Sequence, residues 1–434
     1  MSTPRHAPLF VALALLAAGC PAQEPSYEGD EPGECADDAD NDRDGLFDCE
    51  DPDCDGAASC GDDDDAANDD DAANDDDAAN DDDAADDDDA ADDDDAADDD
   101  DSMNPATAWP DAVFAPFVDA SLYPVIELAT VSAATGLRWF ALGFVVSDNT
   151  MGGCTGSWGT YYSIDDGPDS WGPNGQYYLY DQIDAMRAAT GGDVIASFGG
   201  AANSPLASTC TDVPSLVAEY TRVIDALDLT AIDFDIEGYW VADAASRTRR
   251  NAAIAALQAN FAAASRPLAV WYTLPVLPSG LTPDGVAVLD DALSQGVDIA
   301  GVNIMTMDYG DGAAPNPAGQ MGEYAIQAAE SLHAQLTTLY ANHSLTISAA
   351  ALWSKVGVTP MIGLNDVITE TFDLVDMQQV VDFADLHDLG MLSMWSLNRD
   401  HPCPASTYVE LTCSSTADQS ADFEFSAIGS TYGE

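Results

Sequence analysis

Three carboxylic residues occupy alternate positions of an apolar stretch near the middle of the chain. Asp233, Asp235 and Glu237 alternate with large apolar side chains in the stretch 229–240. Because side chains at positions i, i+2 and i+4 lie on one face of a β-strand, the three carboxyl groups share a face. Burying like charges this close raises the pKa of at least one carboxyl group, which can then act as a general acid near neutral pH. The pattern predicts a catalytic strand; a calcium site and a solvated acidic edge strand are the alternatives.

Strands and helices are predicted to alternate in the second part of the chain, residues 103–434, where the composition is that of a globular domain. This region is long enough for one barrel with loop insertions. The candidate strands are Val113–Val118, Leu137–Val146, Asp193–Phe198, Ala231–Ile236, Leu268–Leu274, Ile299–Met307, Leu345–Leu352 and Gly390–Ser396. Strands that alternate with amphipathic helical stretches predict an α/β fold, a closed parallel (β/α)8 TIM barrel.

The acidic stretch resembles the D-x-x-D-x-D-x-E signature of glycoside hydrolase family 18, the chitinases. Asp233, Asp235 and Glu237 fill the last three acidic places, and Thr230 stands in the first. The resemblance implies that Glu237 protonates the glycosidic oxygen, that Asp235 orients the substrate's 2-acetamido group, and that Asp233 tunes Asp235. The acetamido oxygen then acts as nucleophile, so the reaction needs an N-acetylated sugar but no protein nucleophile and no cofactor.

Two further stretches resemble motifs on other strands of the same family. Ser197–Gly200 resembles the third-strand S-x-G-G motif, in which glycines let the backbone pass close to the catalytic strand. The segment 391–400 resembles the last strand, and the resemblance implies that Trp395 forms the floor under the sugar. We therefore expect Ser197, Gly200 and Trp395 to belong to the substrate-binding site.

The segment Met305–Tyr309 resembles the sixth-strand M-x-Y-D motif, with one departure. Asp308 matches the motif, but Met307 stands where the family has a tyrosine that holds the acetamido oxygen. This variant, M-x-M-D, is similar to the bacterial D-type chitinases. Either Tyr309 reaches the substrate from the next position, or the cyclic intermediate is held less well and is transferred to sugar acceptors as well as to water. Met307, Asp308 and Tyr309 are all candidate substrate-binding residues.

Residues 1–20 have the pattern of a bacterial targeting segment. Arg5 and His6 precede an apolar run at 8–18 that is too short to span a bilayer. The following Leu16–Cys20 resembles a lipoprotein cleavage box, in which Cys20 becomes lipidated. We expect an exported chain, lipid-anchored at the bacterial cell surface, that meets the membrane only through this anchor; ordinary secretion is the alternative.

Residues 21–60 are rich in cysteine and aspartate, and the segment 40–51 has the spacing of a calcium loop. Acidic side chains occupy loop positions 1, 3, 5, 9 and 12, Gly45 occupies position 6, and a backbone carbonyl is offered at position 7. The expected Ca²⁺ ligands are Asp40, Asp42, Asp44, Leu46, Asp48 and Asp51. An acidic, disulfide-bonded spacer is the alternative.

Cysteine usage agrees with export. Of nine cysteines, eight remain when Cys20 is set aside, and an oxidising compartment would let them pair. The nearest plausible disulfides are Cys154–Cys210 and Cys403–Cys413. The pairing of the four cysteines of the N-terminal cluster stays open: Cys35, Cys49, Cys54 and Cys60.

Residues 61–102 form a low-complexity tract of aspartate, asparagine and alanine. No apolar residue larger than alanine occurs in it, so it cannot build a core, and its like charges extend it into a disordered acidic linker. The whole chain has 79 acidic and 11 basic residues and a net charge of −68. This balance excludes nucleic acid as a partner, because phosphate binding needs a basic surface.

The patterns together predict an exported chitinase that cleaves β-1,4 bonds of chitin or N-acetylglucosamine oligosaccharides with retention of configuration. An endo-β-N-acetylglucosaminidase or a peptidoglycan hydrolase on the same scaffold is one alternative. A non-catalytic chitin-binding surface protein and a calcium-dependent adhesin are the others. Endo or exo action and the oligomeric state stay open.

Overall fold

The computed structural model describes residues 107–148, 150, 153–167, 170, 178–404 and 408–433. The predicted targeting segment with Cys20, the calcium loop at 40–51, the cysteines of the N-terminal cluster and the acidic linker at 61–102 lie outside the described residues. Within the described ranges, no helix combines the length and the apolar composition that a membrane span requires.

Strands and helices alternate along most of the described chain. The strands are β1 Val113–Phe114, β2 Phe117–Asp119, β3 Trp139–Ser147, β4 Gly156–Trp158, β5 Tyr162–Ser163, β6 Asp193–Gly199, β7 Ala231–Asp235, β8 Ala269–Leu277, β9 Gly280–Leu281, β10 Gly301–Met305, β11 Val356–Thr359, β12 Gly363–Leu364, β13 Thr371–Phe372 and β14 Met391–Leu392. The helices are α1 Leu128–Thr135, α2 Leu179–Thr190, α3 Leu206–Thr209, α4 Val213–Leu227, α5 Tyr239–Ala242, α6 Ala244–Ala263, α7 Pro283–Gln295, α8 Met321–Asn342, α9 Ala349–Trp353, α10 Leu374–His387 and α11 Glu424–Gly429.

The parallel strands close into a barrel, which confirms the predicted (β/α)8 fold. β3, β6, β7, β8, β10, β11 and β14 each pair in parallel with the next strand of this series. The first barrel strand is split into two parts, since β1 pairs with β14 while β2 pairs with β3. The split strand thus joins both ends of the sheet, and closure leaves the barrel without an edge strand.

The predicted seventh strand at Leu345–Leu352 is wrong. The structure forms helix α9 there and places the seventh barrel strand, β11, a few residues later. Ser348 accounts for the difference, because its hydroxyl accepts a hydrogen bond from the backbone N–H of Ala351 and caps the helix. The alanines that follow the cap favour helix over strand. β11 itself is short and fully buried.

The lower part of the barrel interior is filled around Trp271. Its ring lies so close to β10 that a Cβ at position 301 would approach Cζ3 of Trp271 to 2.1 Å, and glycine occupies this position. Gly357 on the next strand faces the same ring, at 3.1 Å from the position of a Cβ. The large ring of Trp271 on β8 is therefore accommodated by glycines on β10 and β11, as close packing requires.

Two disulfides lie within the described residues. Cys154, after β3, is bonded to Cys210 at the end of α3, with a sulfur–sulfur distance of 2.04 Å. Cys403 is bonded to Cys413 across the loop that follows β14. Each disulfide therefore constrains a loop that follows the carboxyl end of a barrel strand, β3 in the first case and β14 in the second.

A buried ion pair joins four segments at the amino end of β6. Arg187 of α2 donates from Nε and Nη2 to Oδ1 of Asp193, at 2.8 and 2.6 Å, and Nη2 also donates to the carbonyl of Leu227 at the end of α4. Asp193 accepts a further hydrogen bond from the backbone N–H of Thr107, ahead of β1, at 2.8 Å. Both charged side chains are almost fully buried.

Replacing Arg187 by methionine should destabilise the fold strongly. The substitution would leave the Asp193 carboxyl buried without its cation, which typically costs about 3–5 kcal/mol of unfolding free energy. Urea unfolding of the full chain at neutral pH measures this loss. The matched control is Arg266→Met, whose partner Asp225 is half exposed, and which should cost at most about 1 kcal/mol. Equal effects of the two substitutions would contradict the role given to the buried pair.

Candidate active site

The three acidic residues of the central stretch lie at the carboxyl end of β7. Asp233 and Asp235 are 1% and 5% exposed, and Glu237, just beyond the strand, is half-buried. The apolar residues between them, Phe234 and Ile236, pack into the core between barrel and helices. β7 is paired on both sides, with β6 and with β8, so it is not a solvated edge strand. The acidic face therefore points into the barrel.

Asp233 ends a row of hydrogen bonds that crosses the barrel interior. Ser197 donates its hydroxyl proton to Oδ2 of Asp233 at 2.6 Å, and Thr273 donates to Oδ1 at 2.8 Å. Asn303 donates from Nδ2 to Oγ1 of Thr273 at 3.1 Å, and Thr359 donates to Oδ1 of Asn303 at 2.8 Å. Every proton in the row points toward Asp233, and both of its oxygens accept a hydrogen bond.

Burial raises the pKa of all three carboxyl groups, and nearby negative charges raise the pKa of Asp235 and Glu237 further. Burial raises the pKa of Asp233 to about 6, against the opposing effect of its hydrogen bonds from Ser197, Thr273 and the backbone of Phe234. Burial, followed by the charges of Glu237 and Asp233, raises the pKa of Asp235 well above its usual range. Burial, followed by the charges of Asp308 and Asp366, raises the pKa of Glu237 to about 7. The group therefore retains protons near neutral pH, as a general acid requires.

A cavity of about 260 Å³ opens above these carboxyl groups. Asp235 and Glu237 form part of its wall, and residues of other barrel strands and of the loops that follow them supply the rest, the usual location of a TIM-barrel active site. Oδ1 of Asp235 is buried and has no hydrogen-bond partner among the described residues. It is thus free to accept a hydrogen bond from a ligand in the cavity.

Aromatic rings form the floor of the cavity. Trp395 is half-buried and stacks on Phe144, with ring centroids 5.5 Å apart and planes at 25°. Phe117 lies 6.1 Å from Trp395. All three rings line the cavity. A flat apolar floor beside carboxylic acids suits a ligand with both C–H faces and hydroxyl or amide groups.

Met307 and Asp308 also line the cavity, and they are held there by the segment that follows β12. Asp308 adopts a positive φ of 51°, and its Oδ1 accepts a hydrogen bond from the backbone N–H of Val367 at 2.8 Å. Glu370 accepts hydrogen bonds from the backbone N–H groups of Tyr309 and Gly310, at 3.0 and 2.7 Å. The loop after β10 is thus fixed by side-chain-to-backbone bonds.

Three residues expected to contact a substrate do not line the cavity. Tyr309 is 7% exposed and packs edge-on against Tyr324, so it does not reach in from the position next to Asp308. Ser197 is fully buried and donates to Asp233, behind the site. Gly200 donates its N–H to the carbonyl of Asp235 at 3.1 Å. Ser197 and Gly200 therefore bond to the strand that carries the carboxyl groups and do not line this cavity.

The close approach of β6 to β7 explains the glycines of the Ser197–Gly200 motif. A Cβ on Gly199 would lie 1.9 Å from the carbonyl oxygen of Asp235, and one on Gly200 would lie 2.8 Å from the ring of Phe144. Both glycines also have positive φ, of 123° and 88°. A side chain at either position would displace the catalytic strand or the aromatic floor.

Several cavity residues escape the sequence-based prediction. They are Phe117, Phe144, Ala201, Thr273, Met305, Thr359, Met361, Asp366 and Leu411. Four of them, Ala201, Met305, Thr359 and Met361, share one signal, a position at or just beyond the carboxyl end of a barrel strand, which could have been used once the strands were placed. Asp366 and Leu411 lie in loops, where the sequence carries no such signal.

No set of three or more His, Cys, Asp or Glu side chains in the described part of the chain is arranged to hold a metal ion. The row of Asp233, Asp235 and Glu237 is not such a set. The calcium site considered as an alternative for these residues therefore finds no support in the geometry.

The chain is similar over most of its length to known chitinases. It is 42% identical over 328 residues to the probable bifunctional chitinase/lysozyme of Escherichia coli K12, covering 75% of this chain and 35% of that protein. It is 42% identical over 302 residues to endochitinase 11 of Metarhizium anisopliae, covering 69% and 54%. The chain thus spans about a third and about half of the length of these curated relatives. A scan against models of protein families found no match.

A solved structure shares the fold of the barrel. The catalytic domain of a hyperthermophilic chitinase from Pyrococcus furiosus superposes with a TM-score of 0.63 at 30% sequence identity. The match covers 75% of this chain and 95% of that domain. The second active domain of a chitinase from the same organism has also been solved with chito-oligosaccharides, as catalytic-site mutants, and matches with a TM-score of 0.63.

The geometry predicts that Asp366 helps to raise the pKa of Glu237. Titration of the Glu237 side-chain carboxyl by ¹³C NMR should give a pKa of about 7 in the parent. Asp366→Asn removes one of the negative charges that act on it, so the pKa of Glu237 should fall. Asp311→Asn is the matched control, because Asp311 is an exposed acid on the loop after β10 and should leave this pKa unchanged. An unaltered titration in Asp366→Asn would contradict the assignment.

Proposed function

Since the chain belongs to the chitinases of glycoside hydrolase family 18, we propose that it hydrolyses β-1,4 linkages between N-acetylglucosamine units with Glu237 as the general acid. The observation that carries the proposal is the acidic row of β7 under an aromatic-floored cavity. Glu237, with its pKa raised to about 7, stands at the wall of that cavity beside the open acceptor oxygen of Asp235. The chitinases to which the chain is similar support the same substrate class.

In the proposed first step, Glu237 donates its proton to the glycosidic oxygen while the bond from that oxygen to C1 breaks. Trp395 supports the sugar ring whose C1 reacts. Oδ1 of Asp235 accepts a hydrogen bond from the N–H of the 2-acetamido group, which turns the acetamido carbonyl oxygen toward C1. That oxygen forms the new bond to C1, so the intermediate is a cyclic oxazolinium ion and no side chain becomes covalently attached.

In the second step, a water molecule attacks C1 and the acetamido oxygen leaves. Glu237, now a carboxylate, accepts the proton of the attacking water and is restored as an acid. Two displacements at C1 give net retention of configuration. Asp233 acts through Asp235, because its negative charge is one of the causes that raise the pKa of Asp235.

Peptidoglycan is the second candidate substrate. The E. coli relative is named as a probable bifunctional chitinase/lysozyme, and peptidoglycan also contains β-1,4 linkages next to N-acetylated sugars. Clearing of a peptidoglycan suspension, measured beside release of soluble sugar from chitin, separates the two. N-glycans cleaved by an endo-β-N-acetylglucosaminidase are tested in the same way. A purely chitin-binding role is disfavoured by the presence of Glu237, which a non-catalytic binder does not need.

We make two proposals for the residues that precede the barrel in the sequence. Cys20 would carry the lipid that anchors the chain at the cell surface, with secretion as the alternative, and the segment 40–51 would bind Ca²⁺. Metabolic labelling with a fatty-acid analogue tests the first proposal, with Cys20→Ser as its control. Calorimetric titration with Ca²⁺, with Asp40→Asn as the variant, tests the second.

Replacing Glu237 by glutamine should lower the rate of chitotetraose hydrolysis by about 10²–10⁴-fold, because the general acid is lost. The anomers released by the parent, followed by ¹H NMR, should be β at first. The matched control is Glu330→Gln on α8, where the glutamate is exposed, and this variant should keep the parental rate. A Glu237→Gln enzyme with parental activity would refute the assigned role.

Because Met307 replaces a tyrosine, we predict that part of the oxazolinium intermediate reacts with a sugar acceptor instead of water. Met307 lines the cavity and Tyr309 is turned away, so neither residue offers a phenol hydroxyl to the acetamido oxygen. Mass spectrometry of the products should therefore show oligosaccharides longer than the substrate. Met307→Tyr should reduce the share of these longer products, while Met307→Phe, which lacks only the hydroxyl, should not. A parent that forms no product longer than its substrate would remove the basis of this proposal.

A further inference from the structure

Leu411, in the loop after β14, is an exposed apolar side chain on the wall of the active-site cavity. The residue is 63% exposed. A single exposed leucine on a protein surface needs no explanation. Among the large apolar side chains that the described residues expose, however, Leu411 alone lines the cavity that holds Asp235 and Glu237. Its place beside the catalytic carboxyl groups therefore sets it apart from the other exposed apolar residues.

Arg399 fixes the backbone immediately before Leu411. This arginine is 1% exposed, and its Nη1 atom donates to the carbonyl of Glu410 at 2.5 Å. Its Nη2 atom donates to the carbonyls of Ile362 and Leu364, at 3.0 and 2.7 Å. One buried guanidinium group therefore joins the loop of Leu411 to the chain around β12.

Two further contacts fix the backbone on the other side of Leu411. The disulfide between Cys403 and Cys413 lies two residues further along. The N–H of Leu364 donates to the carbonyl of Ser414, one residue beyond the disulfide, at 2.8 Å. Leu411 is thus anchored both before and after its own position. A ligand that contacts it does not have to order the loop first, which lowers the entropic cost of binding.

The chain around β12 also holds the aromatic floor of the cavity. Met361 forms a parallel bridge with Trp395, and the N–H of Ile362 donates to the Trp395 carbonyl at 3.0 Å. Leu364, two residues later, is the residue that holds the loop of Leu411. The floor and the leucine are therefore attached to one short piece of backbone, and the protein sets their spacing before a ligand binds.

Leu411 adds an apolar contact to a cavity whose charged groups are all acidic. The charged side chains of the wall are Asp235, Glu237, Asp308 and Asp366. The leucine side chain has no charge and forms no hydrogen bond, so it can recognise only apolar surface. An N-acetylglucosamine unit offers such surface in the C–H groups of its ring and in its acetamido methyl group. Covering the leucine with this surface removes apolar area from water and stabilises the complex.

We propose that Leu411 is a substrate-contacting residue that packs against the C–H surface of a sugar unit, and that Arg399 and the Cys403–Cys413 disulfide position it. This rests on the proposed function, because the ligand is a chain of N-acetylglucosamine units. Leu411 takes no part in breaking the glycosidic bond. Its contact is the same in the ground state and in the transition state, so it lowers KM and leaves kcat unchanged.

Steady-state kinetics with chitotetraose tests the contact. Leu411→Ala should raise KM by about 3- to 10-fold with kcat unchanged, because binding common to both states is lost. Leu411→Met keeps an apolar side chain of similar volume and should stay within about twofold of the parental KM. The matched control is Leu386→Ala on α10, where the leucine is 76% exposed, and both constants should stay parental. A parental KM in Leu411→Ala would overturn the proposal.

Binding to an inactive variant separates this proposal from the proposed function. Calorimetric titration of Glu237→Gln with chitotetraose gives a Kd without turnover, and the added Leu411→Ala substitution should weaken it by the same factor as KM. If the parent hydrolyses chitotetraose but Leu411→Ala leaves this Kd unaltered, the contact alone is refuted. A parent that neither cleaves nor binds chito-oligosaccharides would refute the proposed function, and this proposal with it.

Removal of the disulfide tests how the leucine is positioned. The double variant Cys403→Ser/Cys413→Ser should raise KM by a factor similar to that of Leu411→Ala, because the loop loses one anchor. In this background Leu411→Ala should add little, since both changes remove the same contact. A lower melting temperature with a parental KM, or effects on KM that simply multiply, would refute the positioning role of the disulfide. The Leu411 variants test the contact itself even if the cysteine variant fails to fold.

Discussion

The burial of several like charges on one strand is the constraint on which this structure depends. Asp233 and Asp235 are almost completely removed from water and lie two residues apart. Carboxylates in such a place are tolerated only if they are hydrogen-bonded, protonated, or both. The two carboxyl groups differ in how many hydrogen bonds the barrel gives them. Asp233 receives two hydroxyl protons, whereas one oxygen of Asp235 is left without a partner. The unequal treatment gives one carboxyl a supporting role and leaves the other available to a substrate.

The side chains of the neighbouring strands accommodate the buried carboxyl groups of β7. The hydroxyl and amide side chains of β6, β8, β10 and β11 form a row whose protons all point toward Asp233. β6 carries glycine where it crosses the end of β7, since a Cβ on Gly199 would collide with the Asp235 carbonyl. The glycine pair also makes room for Phe144, part of the aromatic floor. Catalytic, supporting and binding groups therefore come from different strands, and only a closed barrel brings them to one place.

The sequence carries strong signals for the strand pattern and the acidic row, and weaker ones for what surrounds them. Alternation of apolar and acidic residues was sufficient to place Asp233, Asp235 and Glu237, because a strand has a fixed period of two. The seventh strand was predicted at Leu345–Leu352, but the cap at Ser348 and the alanines after it decide for helix. Local propensity and capping overrode the strand-like composition there.

Side-chain direction in loops was the other limit of prediction. Tyr309 and Asp308 are adjacent, yet one faces the core and the other the cavity, because the positive φ of Asp308 and the anchoring of the loop by Glu370 decide their directions. Neither effect is visible in a linear motif.

The raised pKa values at the site also couple folding to the acidity of the surroundings. In the unfolded chain these carboxyls titrate near their ordinary values of 3.8 and 4.5, whereas in the fold the pKa of Asp233 is about 6 and that of Glu237 about 7. Between these limits the native state holds more protons than the unfolded chain, so its stability falls as pH rises from about 4 to about 7. The chain takes up protons as it folds. Mild acid therefore favours the folded state at this site, and the same carboxyls that equip the cavity for acid catalysis make the fold less stable at neutral pH.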